Sequence, residues 1–425
     1  MMPDLGYTEM KDSGTVWLGE IPSDWEISKI GSLYTQRNEK VSDKDYPPLS
    51  VTMKGILPQL DTAAKTEDGD NRKLVKIGDF AINSRSDRRG SCGISPYNGS
   101  VSLINTILTP RNAMHPGYYN WLFHTSLFAD EFYKWGHGIV DDLWTTRWQE
   151  MKKIIVPVPP YNIQEQISAY LDAQCAKIDE IIAEAKASIE DYKKWKASII
   201  YEAVTKGLDP DVEMKESGIK GAEKVPSHWA ISRLKYISYL DPKCAIIHIT
   251  DEDEVTFAPM ECIRNDRRIA RVAPKSNDNG TYSSFMNGDI AIAKVTPCFE
   301  NGNICVMENL VNGYAFGSSE LFAIRPHSII TRFLFYYMQS CCFVDGGVST
   351  MTGVGGLKRV SSYYMKNAYI PIPPTHEQNS IAKYLDNKCS QIEKLIIEKE
   401  VLIRDLESYK KSLIYEVVTG KRRVC

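Results

Sequence analysis

The 425 residues carry 51 Lys and Arg against 54 Asp and Glu, a formal net charge of −3, with 43% hydrophobic and 25% charged residues. That is the balance of a water-soluble globular chain, and it excludes one that holds nucleic acid by bulk positive charge, so any such surface must be local or borrowed from partners. Compact domains stop growing near about 250 residues, so two or more are expected.

No apolar run approaches the roughly 20 residues needed to cross a bilayer, and the start MMPDLGYTEMKDSG has no apolar signal segment. A cytoplasmic protein with no membrane partner is expected. The ten cysteines are scattered, with no CxxC and no Cys/His grouping at zinc spacing. Free, mostly buried thiols in a reducing compartment are the expected reading.

In chain order, a polar segment EMKDSG (9–14) leads into IPSDWEISKI (21–30). Short β-rich runs follow, among them Ala81-Ile82 and Lys153-Ile154-Ile155-Val156, separated by Gly, Asn and Asp turns. Between them lies an aromatic helical run, YYNWLFHTS (118–126), whose rings are expected in a core and not on a ligand platform. The mixture predicts an α+β domain. A Pro-Pro pair at 159–160 closes it, and Asn162 with Glu165 three on reads as a capping box opening a helix. Apolar residues then recur at steps that alternate mainly between three and four: Ile167, Leu171, Cys175, Ile178, Ile182, Ala185, Ile189, Tyr192 and Ile199. This stripe predicts a long helix that pairs as a coiled coil.

The order then repeats. EMKESG (213–218), VPSHWAISRL (225–234), the aromatic run RFLFYYMQS (332–340), and a second Pro-Pro pair at 373–374 recur in sequence. Thr375 with Gln378 three on gives a second capping box, followed by the stripe Ile381, Leu385, Cys389, Ile392, Ile396, Ile403, Leu406, Leu413 and Val417. The chain is two tandem copies of one unit and not a short-period solenoid. The expected boundaries are 1–157 for the first head with its N-terminal segment, 158–206 for the first helix, 207–371 for linker and second head, and 372–425 for the second helix and tail. A helix of about 40 residues spans roughly 60 Å. Two such helices bury their stripes most simply against each other, antiparallel, giving two similar heads, a pseudo-twofold internal repeat and a rigid spacer.

Catalytic lookalikes fail on their chemistry. Val158-Pro159-Pro160-Tyr161 lacks the polar first residue with which amino-methyltransferases accept the target amine's hydrogen bond, and Ile372-Pro373-Pro374-Thr375 lacks it too. Pro3-Asp4 with Glu9-Met10-Lys11, and Pro210-Asp211 with Glu213-Met214-Lys215, mimic a PD…ExK nuclease. That chemistry needs carboxylates converging from neighbouring strands, whereas these segments read as charged, strandless linker. No GxxxxGK[ST] loop and no GxGxxG opening a βαβ unit occurs. No catalytic or metal-ligating residue and no resident cofactor is expected.

What remains is a set of basic and polar loops. The first head offers Arg85, Arg88 and Arg89 in NSRSDRRG (83–90), and Trp144 and Arg147 in GHGIVDDLWTTR (136–147). The second offers Lys294 and Thr296 at the place of the first loop, Lys358 and Arg359 at the place of the second, and an arginine group that includes Arg264 and Arg267. Arginine forks suit guanine edges and phosphates, and short polar side chains suit adenine and backbone contacts. The frame is kept twice while the loops differ, which suits recognition of two different things at a fixed separation.

The chain resembles the specificity subunits of Type I restriction-modification systems over essentially its full length. The resemblance rests on EMKDSGTVWLGEIPSDW and its second copy, on GDFAINSRSDRRG and GDIAIAKVTPCFENG, and on PPYNIQEQISAYLD and PPTHEQNSIAKYLD. It implies that each head is a target recognition domain reading one part of a bipartite double-stranded DNA sequence. The helices would be the spacer that docks two methyltransferase subunits. Those subunits would bring S-adenosylmethionine, restriction subunits would bring ATP and Mg²⁺, and this chain would be non-catalytic. A coiled-coil scaffold whose heads bind proteins is the competing reading, and the salt dependence of DNA binding separates the two.

Overall fold

A computed structural model describes the chain except for residues 1–6, 8, 60–68, 86–87, 112–113, 139–143, 245–248, 265–266, 269–270, 279, 355 and 425, and except for the side chains of 267 and 268. The fold is α+β, in two units: residues 1–186 with 400–425, and residues 187–399.

In the first unit four antiparallel strands form the central sheet: β1 (Tyr34–Arg37), β2 (Phe80–Asn83), β3 (Cys92–Ile94) and β4 (Asn105–Pro110), in the order β3-β2-β4-β1. Gly78 at φ +86 allows the turn into β2, and the buried Asp79 beside it ties the sheet together. Its carboxylate accepts from Arg37 Nε at 2.7 Å, Thr109 Oγ1 at 2.8 Å and the Lys76 amide at 2.9 Å. Over this sheet pack α1 (Pro116–Phe123) and α2 (Ser126–Lys134). Phe123 joins Phe80 and Phe128, each at 4.6 Å between ring centroids, so the aromatic run is core, as its helical spacing predicts.

The second unit repeats this plan. Strands β5 (Ser238–Leu240), β6 (Ile290–Ala293), β7 (Ile304–Val306) and β8 (Leu321–Pro326) run antiparallel in the order β5-β8-β6-β7, which is the same topology. Gly288 at φ +91 precedes the buried Asp289, which accepts from Arg325 Nε and Nη2 at 2.7 Å each and from the Met286 amide at 2.8 Å. The carboxylate is therefore kept, while its arginine comes from β1 in one unit and β8 in the other. Helices α4 (Thr331–Tyr337) and α5 (Cys341–Val348) carry the buried aromatic run Phe333 to Tyr337.

Two long helices, α3 (Tyr161–Lys206, 46 residues) and α6 (Thr375–Val418, 44 residues), supply parts to both units. In the first unit Ile167, Leu171, Ile178 and Ile182 of α3 share a core with Leu413, Val417 and Val418 of α6. Each such buried aliphatic side chain contributes about 1.5–3 kcal/mol. Asp179 pairs with Lys410 at 2.6 Å and Lys186 with Glu407 at 3.9 Å, and in the second unit Lys196 pairs with Glu393 at 2.6 Å. Partner numbers fall as those of α3 rise, so the helices pack antiparallel. At the end of α3 the buried face is Ile200, Ala203 and Val204, where the sequence stripe had placed Ile199, which is only partly buried.

The repeated decapeptide receives a helix end. In the first unit α6 ends at Gly420 (φ +72), and a Cβ there would stand 2.3 Å from the Pro22 ring and 3.1 Å from Trp25. In the second, α3 ends at Gly207 (φ +80), where a Cβ would stand 3.3 Å from Trp229. Only glycine gives both the left-handed turn and the close approach.

Two local expectations are corrected. The capping boxes do not form, because the helices start at Tyr161 and Thr375, so that Pro160 and Pro374 precede the first helical residue in place of the expected Asn162 and Thr375, with Gln164 N donating to Pro160 O and Gln378 N to Pro374 O, both at 3.0 Å. Gln378 instead clamps two segments: its Nε2 donates to Pro373 O at 2.8 Å, and its Oε1 accepts from the Ile330 amide at 2.8 Å. Gln164 does the same with Pro159 O and the His115 amide. The supposedly strandless linkers are also strands, since Met10–Asp12 pairs with Glu20–Pro22 and Met214–Ile219 with Ala222–Pro226. Their lysines still serve the frame: Lys11 Nζ donates to Ser23 O at 2.9 Å and Lys215 Nζ to Trp229 O. Pro3 and Asp4 lie outside the described residues.

Candidate nucleic-acid interface

The two polar loops of the first head, separate in sequence, are stitched into one surface. Arg85 bridges Thr145 in an antiparallel pair, Thr145 bridges His137, and the Thr146 amide donates to Ser84 O at 3.0 Å. Thr146 Oγ1, fully buried, donates to Phe132 O at 2.8 Å and fixes the second loop to α2. Trp144 lies over Tyr133, 6.0 Å between centroids, and its Nε1 donates to Tyr133 O at 2.9 Å. Gly136 makes room for it, since a Cβ there would sit 2.2 Å from the indole nitrogen.

Arg89 lies over the other reach of the same tyrosine, 5.3 Å from the ring, and its guanidinium is held by Asp130. Arg85, Arg88, Arg89 and Arg147 are all exposed, and Arg147 opens the short helix Trp148–Met151. Residues 86–87 and 139–143 of these two loops lie outside the described residues.

The second head gathers Lys294, Thr296, Lys358 and Arg359. A ribbon of β9 (Thr352–Val354) and β10 (Leu357–Arg359) lies beside the end of β6. Val295 bridges Arg359, the Val360 amide donates to Lys294 O at 2.9 Å, and the Thr296 amide donates to Lys358 O at 3.0 Å. The Thr296 hydroxyl donates to Gly356 O at 2.9 Å and accepts from the Lys358 amide at 3.0 Å. Lys294 Nζ stands 4.6 Å above the Phe322 ring and donates to Ser319 O at 3.0 Å.

Arg359 grips Glu320 with both prongs, at 2.9 and 2.5 Å, and this holds the Glu320 carboxyl below its usual range. Arg264 and Arg267 are backbone partners in register on a separate hairpin, Ile263–Arg264 with Arg267–Arg268, where Arg264 is exposed and Arg271 pairs with Glu261 at 3.0 Å. Sequence reasoning missed Asp130, Tyr133, Glu320 and Phe322, which hold the basic side chains in place. Among the described residues, no group of three His, Cys, Asp or Glu is placed to hold a metal ion, and no helix is long and apolar enough to cross a membrane.

Comparison with known proteins bears on this surface directly. The family described as Type I restriction modification DNA specificity domain matches residues 270–401, which include Lys294, Thr296, Lys358 and Arg359. The Type I restriction enzyme EcoAI specificity subunit of Escherichia coli is 34% identical over 206 residues, 47% of this chain and 34% of that protein. The chain thus matches about a third of that relative's length. A putative Type I restriction enzyme MjaX specificity subunit of Methanocaldococcus jannaschii is 22% identical over 458 residues, 96% of each chain.

The chain is similar to Type I restriction-modification specificity subunits.

Two solved structures share the fold of this chain. One, from work on complex assembly and conformational transition of the type I R-M system, has a TM-score of 0.71 at 14% identity and covers 94% of this chain and 98% of its own. The HsdS subunit from Thermoanaerobacter tengcongensis has a TM-score of 0.52 at 16% identity, again over 94% and 98%.

Proposed function

We propose that this chain is the DNA-recognition subunit of a cytoplasmic Type I restriction-modification complex, non-catalytic itself. Each head reads one part of a bipartite double-stranded target. Helices α3 and α6 set the spacing and dock two methyltransferase subunits that carry S-adenosylmethionine, while restriction subunits carry ATP and Mg²⁺. The observation that carries this is the contrast between frame and loops. Asp79 and Asp289, Gln164 and Gln378, Gly207 and Gly420 do the same work in the two units, while Arg85, Trp144 and Thr145 are exchanged for Val295, Lys358 and Arg359 at the matching places. A frame kept twice with its outward residues changed supports two readers of different sequences. The modest net charge supports weak binding by the chain alone and tighter binding once partners close on the duplex.

Binding of the full chain to duplexes selected from a random-sequence library tests this. The affinity is expected to fall steeply with salt, and Arg88→Ala with Arg89→Ala is expected to relax base choice at one half-site only. Equal loss at both half-sites contradicts two independent readers, and salt-independent binding favours a protein-binding scaffold. Mapping methylated adenines in the host genome with and without this gene gives the target itself.

A further inference from the structure

In the β9–β10 ribbon the cross-strand pairs are Thr352 with Arg359, Gly353 with Lys358, and Val354 with Leu357. The last pair stands at the tip, with Val354 89% and Leu357 58% exposed. Two aliphatic side chains this exposed bury little surface within the fold, and such pairs mark contact surfaces when they sit on a rigid, polar-rimmed mount. The mount is rigid here. Thr296 bonds both Lys358 and Gly356, Arg359 is clamped by Glu320, and Gly353 (φ +154) lets the strands close to where a Cβ would overlap Leu357 O. Lys294, Lys358 and Arg359 belong to the same cluster; Lys294 is paired with Asp241 and Arg359 with Glu320, while among the described residues no ion pair engages Lys358. That lysine beside the apolar pair favours a polyanion over an apolar protein face.

The sequence of the first head keeps the same apolar spacing. In GIVDDLWTT and TGVGGLKR, Val140 and Leu143 align with Val354 and Leu357, and the bridge Arg85 to Thr145 matches Val295 to Arg359. Residues 139–143 lie outside the described residues, so this is a match of sequence. Around the pair everything changes: Asp141-Asp142 against Gly355-Gly356, Trp144 against Lys358, Thr145 against Arg359. A pair kept where the neighbours are exchanged does something common to both heads, and reading different bases is not common to both.

We propose that the β9–β10 tip is a wedge: Val354 and Leu357 enter a DNA base step and unstack it, with Lys358 against the flanking phosphates. The inference rests on the DNA-recognition reading and deepens it. A two-stranded ribbon fits a DNA groove, apolar side chains inserted between base pairs kink the duplex, and unstacking beside a base lowers the cost of extruding it for methylation.

The test uses the full chain and a duplex selected by repeated rounds of binding, with 2-aminopurine replacing adenine one position at a time. Wild type is expected to brighten one position in the half-site read by the second head. The double variant Val354→Ser with Leu357→Ser alters only exposed side chains, which an unchanged Tm checks. It is expected to lose that brightening and bind about tenfold more weakly with the same salt slope. Lys358→Ala is expected to lower the salt slope and leave the brightening. Brightening retained in the double variant overturns the wedge while the DNA reading stands. A wild-type chain with no salt-dependent DNA binding overturns both. Loss of association with methyltransferase subunits, without a change in brightening, makes the tip a protein-docking surface and also overturns the wedge.

Discussion

Among single residues, three of the basic side chains predicted from sequence, Arg89, Lys294 and Arg359, are paired with carboxylates. Arg359 with Glu320 and Arg89 with Asp130 are exposed pairs, and each must exchange its partner for a phosphate or a base when DNA arrives. Exposed pairs add little to stability, commonly about 0–1 kcal/mol, so their weight falls on binding. Glu320→Gln removes the competitor and is expected to raise DNA affinity by roughly threefold to tenfold and to steepen the salt slope by about one, read by fluorescence anisotropy at several ionic strengths. Mild acid does not imitate it. Because Arg359 pulls the Glu320 carboxyl downward, the pairing is present above the ordinary carboxylate value and is lost only as pH falls through the lowered one. Arg85, Arg89, Lys294 and Arg359 stand out in the sequence as basic residues in loops beyond the strands, whereas the acids that hold Arg89 and Arg359 do not, since Asp130 and Glu320 are distant from them in sequence and look like any solvated acid.

At the level of elements, the heptad stripes pointed to the two long helices α3 and α6, which begin just after the Pro-Pro pairs. Periodicity survives the loss of every tertiary detail. The second capping box failed because spacing alone does not say which amide a glutamine faces. Gln378 has better partners across the fold, in the segment before α4, and in the first copy Gln164, one residue before the expected Glu165, makes the same bonds before α1. The bond to the Pro373 carbonyl is buried and that to the Ile330 amide partly buried, so Gln378→Leu leaves both groups unpaired and is expected to cost about 1–3 kcal/mol, measured by urea unfolding. A helix-propensity account predicts the reverse, because leucine forms helix at least as well as glutamine. The paired strands at Met10–Asp12 and Met214–Ile219 were hidden for a related reason. They are short, charged and glycine-flanked, and only their partners around the decapeptide make them strands.

For the molecule as a whole, the repeat itself was the most legible feature, because two copies of one sequence must solve one folding problem twice. The sequence could not say that each decapeptide would receive the end of the helix it precedes or follows at long range: Trp25 takes Gly420 of α6, and Trp229 takes Gly207 of α3. With α3 and α6 each contributing to both units and pairing antiparallel, both helices must change together if either changes. Inserting one heptad into each, opposite one another, preserves the apolar stripe, whereas insertion into one alone takes its buried residues out of register with the other. Seven residues add about 10 Å of helix, close to three base pairs of B-DNA at about 3.4 Å each. On the proposed reading, the paired insertion is expected to lengthen the gap between the two half-sites by about three base pairs without altering the bases in either. Methylated-adenine mapping of a host carrying the variant reads this directly. An unchanged gap means that the helices do not set the spacing. Altered bases inside a half-site mean that the heads do not read independently of them.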